Sequence, residues 1–237
     1  MIKYCYTLIE VILLYPSFLA AQNTSTQLWT DFSLNTRLSK GYSFDTEFGY
    51  RTNIGNSSKW HSLNIIPKME KSLTKHIDIM FYLGYINTFQ QENYNTWEIR
   101  PSLGMRYHFK LFPKLLTRIL ARFEWRNQYT YETHESSQDL RSRFRLEEIY
   151  FINGKSFADA HLWYAMADFE IFYTLDQELQ ERYSNQAFLR AGIGYSPEFR
   201  WRFELIYTFQ YSKNTIDGEL GKEQEGILRL RARYYFN

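Results

Sequence analysis

Apolar and polar residues alternate along most of this chain, most clearly near its end. After Gly226, one face of the pattern carries Leu228, Leu230, Ala232, Tyr234 and Phe236, and the other carries Ile227, Arg229, Arg231, Arg233 and Tyr235. A period of two residues indicates a β-strand, whose side chains point alternately to opposite faces. An apolar face ending in aromatic residues, opposite a row of arginines, suits a strand between lipid and a wet interior. The chain ends on this strand, which we expect to close a barrel.

Ten further segments between residues 22 and 212 alternate in the same way. Nearly all fail a helical period of 3.6, and each is long enough for a tilted transmembrane strand. The pattern predicts an all-β fold, an antiparallel transmembrane up-and-down β-barrel of 10–12 strands preceded by a cleaved signal peptide. Bacterial single-chain barrels usually have an even number of strands, so eleven segments leave the parity open.

The connections between segments are predicted to alternate in length. Short turns follow the odd-numbered segments, and longer polar stretches follow the even ones, at residues 52–59, 90–95, 133–139, 176–184 and 213–224. Short periplasmic turns and longer outer loops are the asymmetry expected of outer-membrane barrels. The adjacent acids Glu147 and Glu148 interrupt the alternation, which predicts a β-bulge.

A soluble barrel or sandwich, with the apolar faces turned into a core, is the alternative fold. Two features favour the membrane. Large aromatic residues stand towards the ends of the apolar faces, such as Trp97 and Phe109 or Trp201 and Tyr211, as they do in interfacial girdles. The segments are also longer than the spacing of turns in soluble all-β domains.

The first 21 residues read as an export signal, which leaves a single barrel domain at residues 22–237. Lys3 precedes a mostly apolar stretch at residues 11–19, and Ala20 and Ala21 offer a cleavage site; a short membrane anchor is the alternative. The one cysteine, Cys5, lies within this signal, so the mature barrel is predicted to lack disulfides and thiolate sites. A net charge of +2 gives no reason to expect a nucleic-acid partner.

Several segments resemble a known outer-membrane family. The segments that show the resemblance are Gln27–Phe32, Gly49-Tyr50-Arg51 and two arginine-rich strands, Phe199–Leu205 and Leu228–Tyr234. Together they resemble the β-barrel family labelled domain of unknown function 2490. The resemblance implies a Gram-negative outer-membrane barrel and brings no activity or site residues. The chain differs from the usual pattern in that Asn237 follows the terminal aromatic Phe236.

The polar faces are predicted to bring a charge network into the barrel interior. Its members are Arg100, Arg106, Arg122, Glu124, Arg126, Arg143, Glu147, Asp168, Glu170, Arg200, Arg202, Glu204, Arg229, Arg231 and Arg233. Rows of arginine could line an anion-preferring pore or hold a phosphate or lipopolysaccharide head group. The favoured interpretation is a salt-bridged plug, because buried guanidinium groups require carboxylates and the acids are interleaved with the bases.

Catalysis has weaker support. The five histidines are dispersed without a ligand spacing, so no metal or other cofactor is predicted. Loop residues that could serve a hydrolase or protease at the outer rim are His134, Ser136, Asp139 and His61, with Ser57 and Ser58 nearby in sequence. Solvated loop residues are the simpler interpretation of all six.

Three classes of function therefore remain. The first, and the favoured one, is a non-catalytic narrow or plugged barrel acting as a small pore or envelope component. The second is a lipid hydrolase or protease of the outer rim, and the third is a loop-mediated receptor or assembly partner. The expected partners are outer-membrane lipids, lipopolysaccharide and, during biogenesis, the barrel-assembly machinery. The oligomeric state stays open.

Overall fold

The computed structural model describes residues 26–54, 59–90, 94–176, 179, 181, 183–216 and 222–236. The predicted signal peptide and the loop serines Ser57 and Ser58 lie outside these residues. Within the part of the chain described, no helix is long and apolar enough to cross a membrane.

The described residues form eleven strands that close into one barrel. In chain order they are β1 Thr26–Arg37, β2 Tyr42–Ile54, β3 Trp60–Ser72, β4 Ile77–Gln90, β5 Thr96–Phe112, β6 Leu115–Thr130, β7 Ser136–Phe151, β8 Leu162–Thr174, β9 Ser184–Glu198, β10 Trp201–Lys213 and β11 Lys222–Tyr235. The prediction of a 10–12-strand barrel is confirmed.

The barrel closes through a parallel pair. Every sequential pair of strands is antiparallel, whereas β1 and β11 run in the same direction with Thr26 opposite Gly226 and Asn35 opposite Tyr235. In an up-and-down meander with an odd number of strands, the first and last strands must point the same way. The alternation left open whether the number of strands is odd or even, and among the described residues it is odd.

The connections between strands lie at the two ends of the barrel. We name each end after the predicted length of its connections. The turn end carries the connections after the odd-numbered strands, and the loop end carries those after the even-numbered strands. One predicted short turn is wrong, since the β7–β8 connection extends over Ile152–His161. That segment is a folded element with a role at the turn end, described below.

The bulge predicted at Glu147 and Glu148 is also wrong. The register of β7 with β6 and with β8 is continuous through both residues. The alternation persists because Glu147 points inwards, while Glu148 shares the outward parity of Leu146 and Tyr150. The Thr117 hydroxyl donates to the Glu148 carboxylate at 2.9 and 3.0 Å, which provides a polar partner for this outward acid.

The outside of the barrel is apolar, with aromatic residues at both ends. Exposed side chains such as Leu103, Phe123 and Leu189, all more than half exposed, form the belt. Trp97 packs against Tyr129 at the loop end with 5.8 Å between ring centroids, and Trp201 packs against Tyr234 at the turn end at 4.8 Å. An apolar exterior between two aromatic girdles is the architecture of a transmembrane barrel rather than of a soluble one.

Candidate functional site

The inward faces of the strands surround a central cavity of about 230 Å³ with an unequal charge distribution. Thirteen cationic side chains line it, namely Arg51, Lys68, Arg100, Arg106, Arg118, Arg122, Arg141, Arg143, Arg145, Arg190, Arg229, Arg231 and Arg233. The lining includes only four carboxylates, from Asp45, Glu47, Glu124 and Glu147. A second cavity of about 90 Å³ adjoins it towards the loop end and shares Trp29, Arg51 and Arg100.

Near the loop end, a buried carboxylate binds two arginines at once; we name these contacts the Glu98 network. Each oxygen of Glu98 accepts a hydrogen bond from both Arg100 and Arg126, at 2.6–2.9 Å. Arg126 makes a second bidentate pair with Glu181 at 2.9 Å and lies 3.7 Å from Asp139. Such fork-to-fork pairs are short and directional, so they fix the side chains against the wall.

Two further carboxylates in the middle of the barrel are shared among arginines of β6, β7 and β9. Glu124 accepts hydrogen bonds from Arg141 at 2.7 Å and from Arg143 at 2.8 Å, and it forms an ion pair with Arg122 at 2.9 Å. Glu170 uses one oxygen for Arg143 at 2.8 Å and the other for Arg190 at 2.6 Å. Both acids are fully buried. Glu170 lies outside the lining of the cavity while Arg143 and Arg190 line it, and Glu124 lines the cavity together with its three arginines.

In the wall formed by β10 and β11, buried carboxylates are again bonded to arginines. Arg229 bonds to Asp31 and Arg231 bonds to Glu204, whereas Arg233 stays 3.6 Å from Glu204 and forms only an ion pair. The Tyr164 hydroxyl donates to the other oxygen of Glu204 at 2.7 Å. Gly194 makes room for this ring, since a Cβ there would lie 2.2 Å from the Tyr164 Cζ.

At the turn end, aromatic rings replace carboxylates; we name this contact the Arg202 stack. The Arg202 guanidinium lies 3.9 Å from the centroid of Phe157 and 4.2 Å from that of Tyr235. Phe157 belongs to the β7–β8 connection and packs edge-on against Phe151 and Tyr164, each at 5.1 Å. Within the described residues Arg202 makes no ion pair, so cation–π contacts alone hold its charge.

The family of the chain follows from comparison with known proteins. The model of a family described as protein of unknown function, DUF2490, matches residues 26–220. The chain belongs to the DUF2490 family. Among solved structures, it is similar to one titled "NanC porin structure in rhombohedral crystal form". That similarity has 13% identity and a TM-score of 0.48, and it covers 85% of this chain and 90% of the porin chain. No curated protein matches the sequence significantly.

In this DUF2490 protein, all but one of the residues assigned to the lumen network lie on the inner face. The exception is Arg200, which is exposed in the turn between β9 and β10. Arg200 fits the alternation in the sequence, but β9 ends at Glu198 and β10 begins only at Trp201. Arg202, two residues later, is buried inside.

Several interior residues of the DUF2490 barrel were absent from the predicted network. They are the charged residues Arg51, Lys68, Glu70 and Asp78, and the aromatic residues Trp29, Phe172 and Phe188. Their inward position follows from the two-residue period of a strand, since Phe172 is two residues from Glu170 and Trp29 is two residues from Asp31. The aromatic residues had not been expected on a polar face.

The weak catalytic candidates are not brought together. His134 shares a 2.9 Å hydrogen bond with the Tyr129 hydroxyl, and His61 stacks on Phe89 at 4.9 Å in the outer aromatic girdle. Asp139 is buried beside Arg126. No hydrogen bond between described residues joins any two of His61, His134, Ser136 and Asp139. The described residues also contain no group of three His, Cys, Asp or Glu side chains placed to hold a metal ion.

Proposed function

We propose that this protein is an outer-membrane β-barrel of a Gram-negative bacterium that forms a narrow path for small anions. The observation that carries the proposal is the lining of the central cavity, with thirteen cations and four carboxylates. Rings and rows of arginine or lysine select for anions, because they lower the electrostatic cost of bringing negative charge into a narrow space.

The salt bridges support the proposed path because they hold the arginines in place around the cavity. Four of the paired carboxylates, those of Asp31, Glu98, Glu170 and Glu204, lie outside the lining of the central cavity, whereas arginines bonded to each of them line it. These pairs therefore neutralise the wall and leave a cationic surface in the lumen. The cavity of about 230 Å³ favours a small path over an interior completely filled by side chains. A hydrated inorganic anion suits this polar lining better than an apolar solute does.

The exterior supports an outer-membrane location. The apolar belt and the two aromatic girdles match the lipid core and its interfaces. In this proposal, outer-membrane lipids and lipopolysaccharide cover the belt, and the barrel-assembly machinery inserts the chain.

The test is conductance of the refolded barrel in planar bilayers under a potassium chloride gradient. We expect discrete steps with a reversal potential on the chloride side. Protein shown by protease protection to be inserted, yet silent, would contradict the path, as would cation selectivity. Arg229→Glu should shift the reversal potential towards the cation side, because it reverses one charge of the lining, whereas Lys110→Glu changes the same charge at an exposed site outside the cavity.

A further inference from the structure

We infer that the cavity contains a binding site for a small doubly charged oxyanion such as inorganic phosphate, formed by Arg122, Arg143 and Arg145. This inference deepens the proposed function by placing a binding site along the proposed path. We name these three residues the β6–β7 arginine cluster. All three line the central cavity.

The strand register brings like charges together in this cluster. Arg122 of β6 lies directly opposite Arg143 of β7. Like charges at opposed positions of neighbouring strands destabilise a sheet unless other groups compensate. Glu124 forms ion pairs with both, but it also binds Arg141, so one carboxylate serves three guanidinium groups. Among the described residues, the buried Nε of Arg122 has no hydrogen-bond partner.

Arg145 provides the strongest indication of a ligand. Its register partner on β8 is Glu170, the residue that would be expected to neutralise it. Both oxygens of Glu170 are already bonded, one to Arg143 and the other to Arg190. Among the described residues, Arg145 therefore has no hydrogen bond or ion pair of its own, although it faces the cavity. Polar groups inside proteins are almost always paired, so these free donors require water or an anion.

The chemistry of the cluster selects an oxyanion. Guanidinium groups present planar, forked donors that match phosphate oxygens, and they remain charged at any physiological pH. Arg145 offers donors to the cavity, and Arg122 and Arg143 add positive charge to the same lining. A chloride ion carries one negative charge rather than two, and it has no pair of oxygens to match the two parallel N–H donors of a guanidinium fork.

The experiment is calorimetric titration of sodium phosphate into the refolded barrel in detergent, with ionic strength held constant by sodium chloride. The test variant is Arg145→Gln, which should fold because the carboxylates whose charge acts on Arg145 keep their bonds to other arginines, Glu147 to Arg118 and both Glu170 and Asp168 to Arg190. The matched control is Lys68→Gln, which removes one positive charge from the same cavity but outside the cluster. Circular dichroism and heat-modifiable migration on gels verify that each variant forms the barrel.

We expect the parent protein to bind phosphate and Arg145→Gln to bind it about tenfold to hundredfold more weakly, the range for losing a charged hydrogen bond. Lys68→Gln should change the affinity much less. No binding by the parent protein, or equal losses in both variants, would overturn the site. Anion-selective conductance without phosphate binding would contradict the binding site and support the conducting path. Phosphate binding by a barrel that does not conduct would contradict the path and support the binding site.

Discussion

Arg126 and Arg202 are both buried in the barrel interior, yet the protein holds them by different means. Arg126 contacts two carboxylates in bidentate pairs within the Glu98 network. Arg202 lies between the rings of Phe157 and Tyr235 in the Arg202 stack, with an unpaired buried Nε. The first arrangement cancels the charge of the arginine, and the second leaves that charge in place.

The difference shows that the interior is not a uniformly neutral plug. Arg202 also lies directly opposite Arg233 in the register of β10 and β11, so two positive charges adjoin at the turn end. A quadrupolar ring face stabilises a cation by up to about 2 kcal/mol without supplying a counter-charge. The positive charge is therefore neutralised around Arg126, whereas around Arg202 and Arg233 it still acts on the lumen.

Glu98→Gln should have the largest effect, because it removes the charge that Arg100 and Arg126 share. Breaking a buried pair by deleting one partner costs about 3–5 kcal/mol, since the remaining charge stays buried. We expect the free energy of unfolding of the refolded barrel to fall by that amount, measured by urea titration with tryptophan fluorescence.

Glu181→Gln provides the control for the Glu98 network. Its side chain also binds Arg126 but is about a fifth exposed, so solvent compensates part of the loss. A Glu98→Gln variant no less stable than Glu181→Gln would show that the loop-end wall does not depend on its most buried carboxylate.

Much of this arrangement could be predicted from alternation alone. The two faces of β11 are those read from the sequence, with Leu228 and Leu230 outside and Arg229, Arg231 and Arg233 inside. A two-residue period depends only on neighbouring residues, and it is found wherever one face of a strand contacts lipid and the other contacts polar groups. The same rule placed Glu124 and Glu170 inside, although it could not say which arginines would share them.

The parts that could not be predicted depend on contacts between distant residues or on where a strand ends. The parallel closure joins Thr26 to Gly226 across nearly the whole chain. Arg200 follows the alternation but lies in a turn. The Ile152–His161 connection is longer than the short turn that the alternation of connection lengths predicts there. Phe157 lacked any sequence signal for an inward position, since it belongs to no strand.

Phe157→Ala should have the next largest effect, now on the Arg202 stack. The change removes the ring that contacts Arg202, Phe151 and Tyr164, and the lost apolar burial corresponds to about 1.5–3 kcal/mol. We expect lower stability in urea and, if the barrel conducts, a larger unit conductance, because the change removes a bulky side chain in contact with the inward-facing Arg202 and Tyr164.

Phe157→Leu separates the two contributions of the ring. Leucine keeps most of the apolar volume and loses the cation–π contact, so it should cost about 0.5–2 kcal/mol. Equal stability of the leucine variant and the parent protein would mean that Arg202 does not need the ring face.

The smallest expected effect concerns Asp159, which folds the connection that carries Phe157. Its carboxylate accepts the backbone N–H of Lys155 at 2.6 Å and of Ser156 at 3.1 Å, and these bonds lower the pKa of Asp159 below its ordinary value. Because the pKa is lower in the folded state, the carboxylate contributes stability above the unfolded pKa of about 3.9 and loses it as the pH falls through the folded pKa.

Carbon-detected NMR titration of the Asp159 carboxyl should therefore show a midpoint below that ordinary value. Asp159→Asn keeps the size of the side chain and removes its titration, so any advantage of the parent protein in urea should vanish in acid. A normal midpoint would mean that the bonds to Lys155 and Ser156 do not persist in solution. Phe157 would then be held by its packing against Phe151 and Tyr164 and by its contact with Arg202, without support from Asp159.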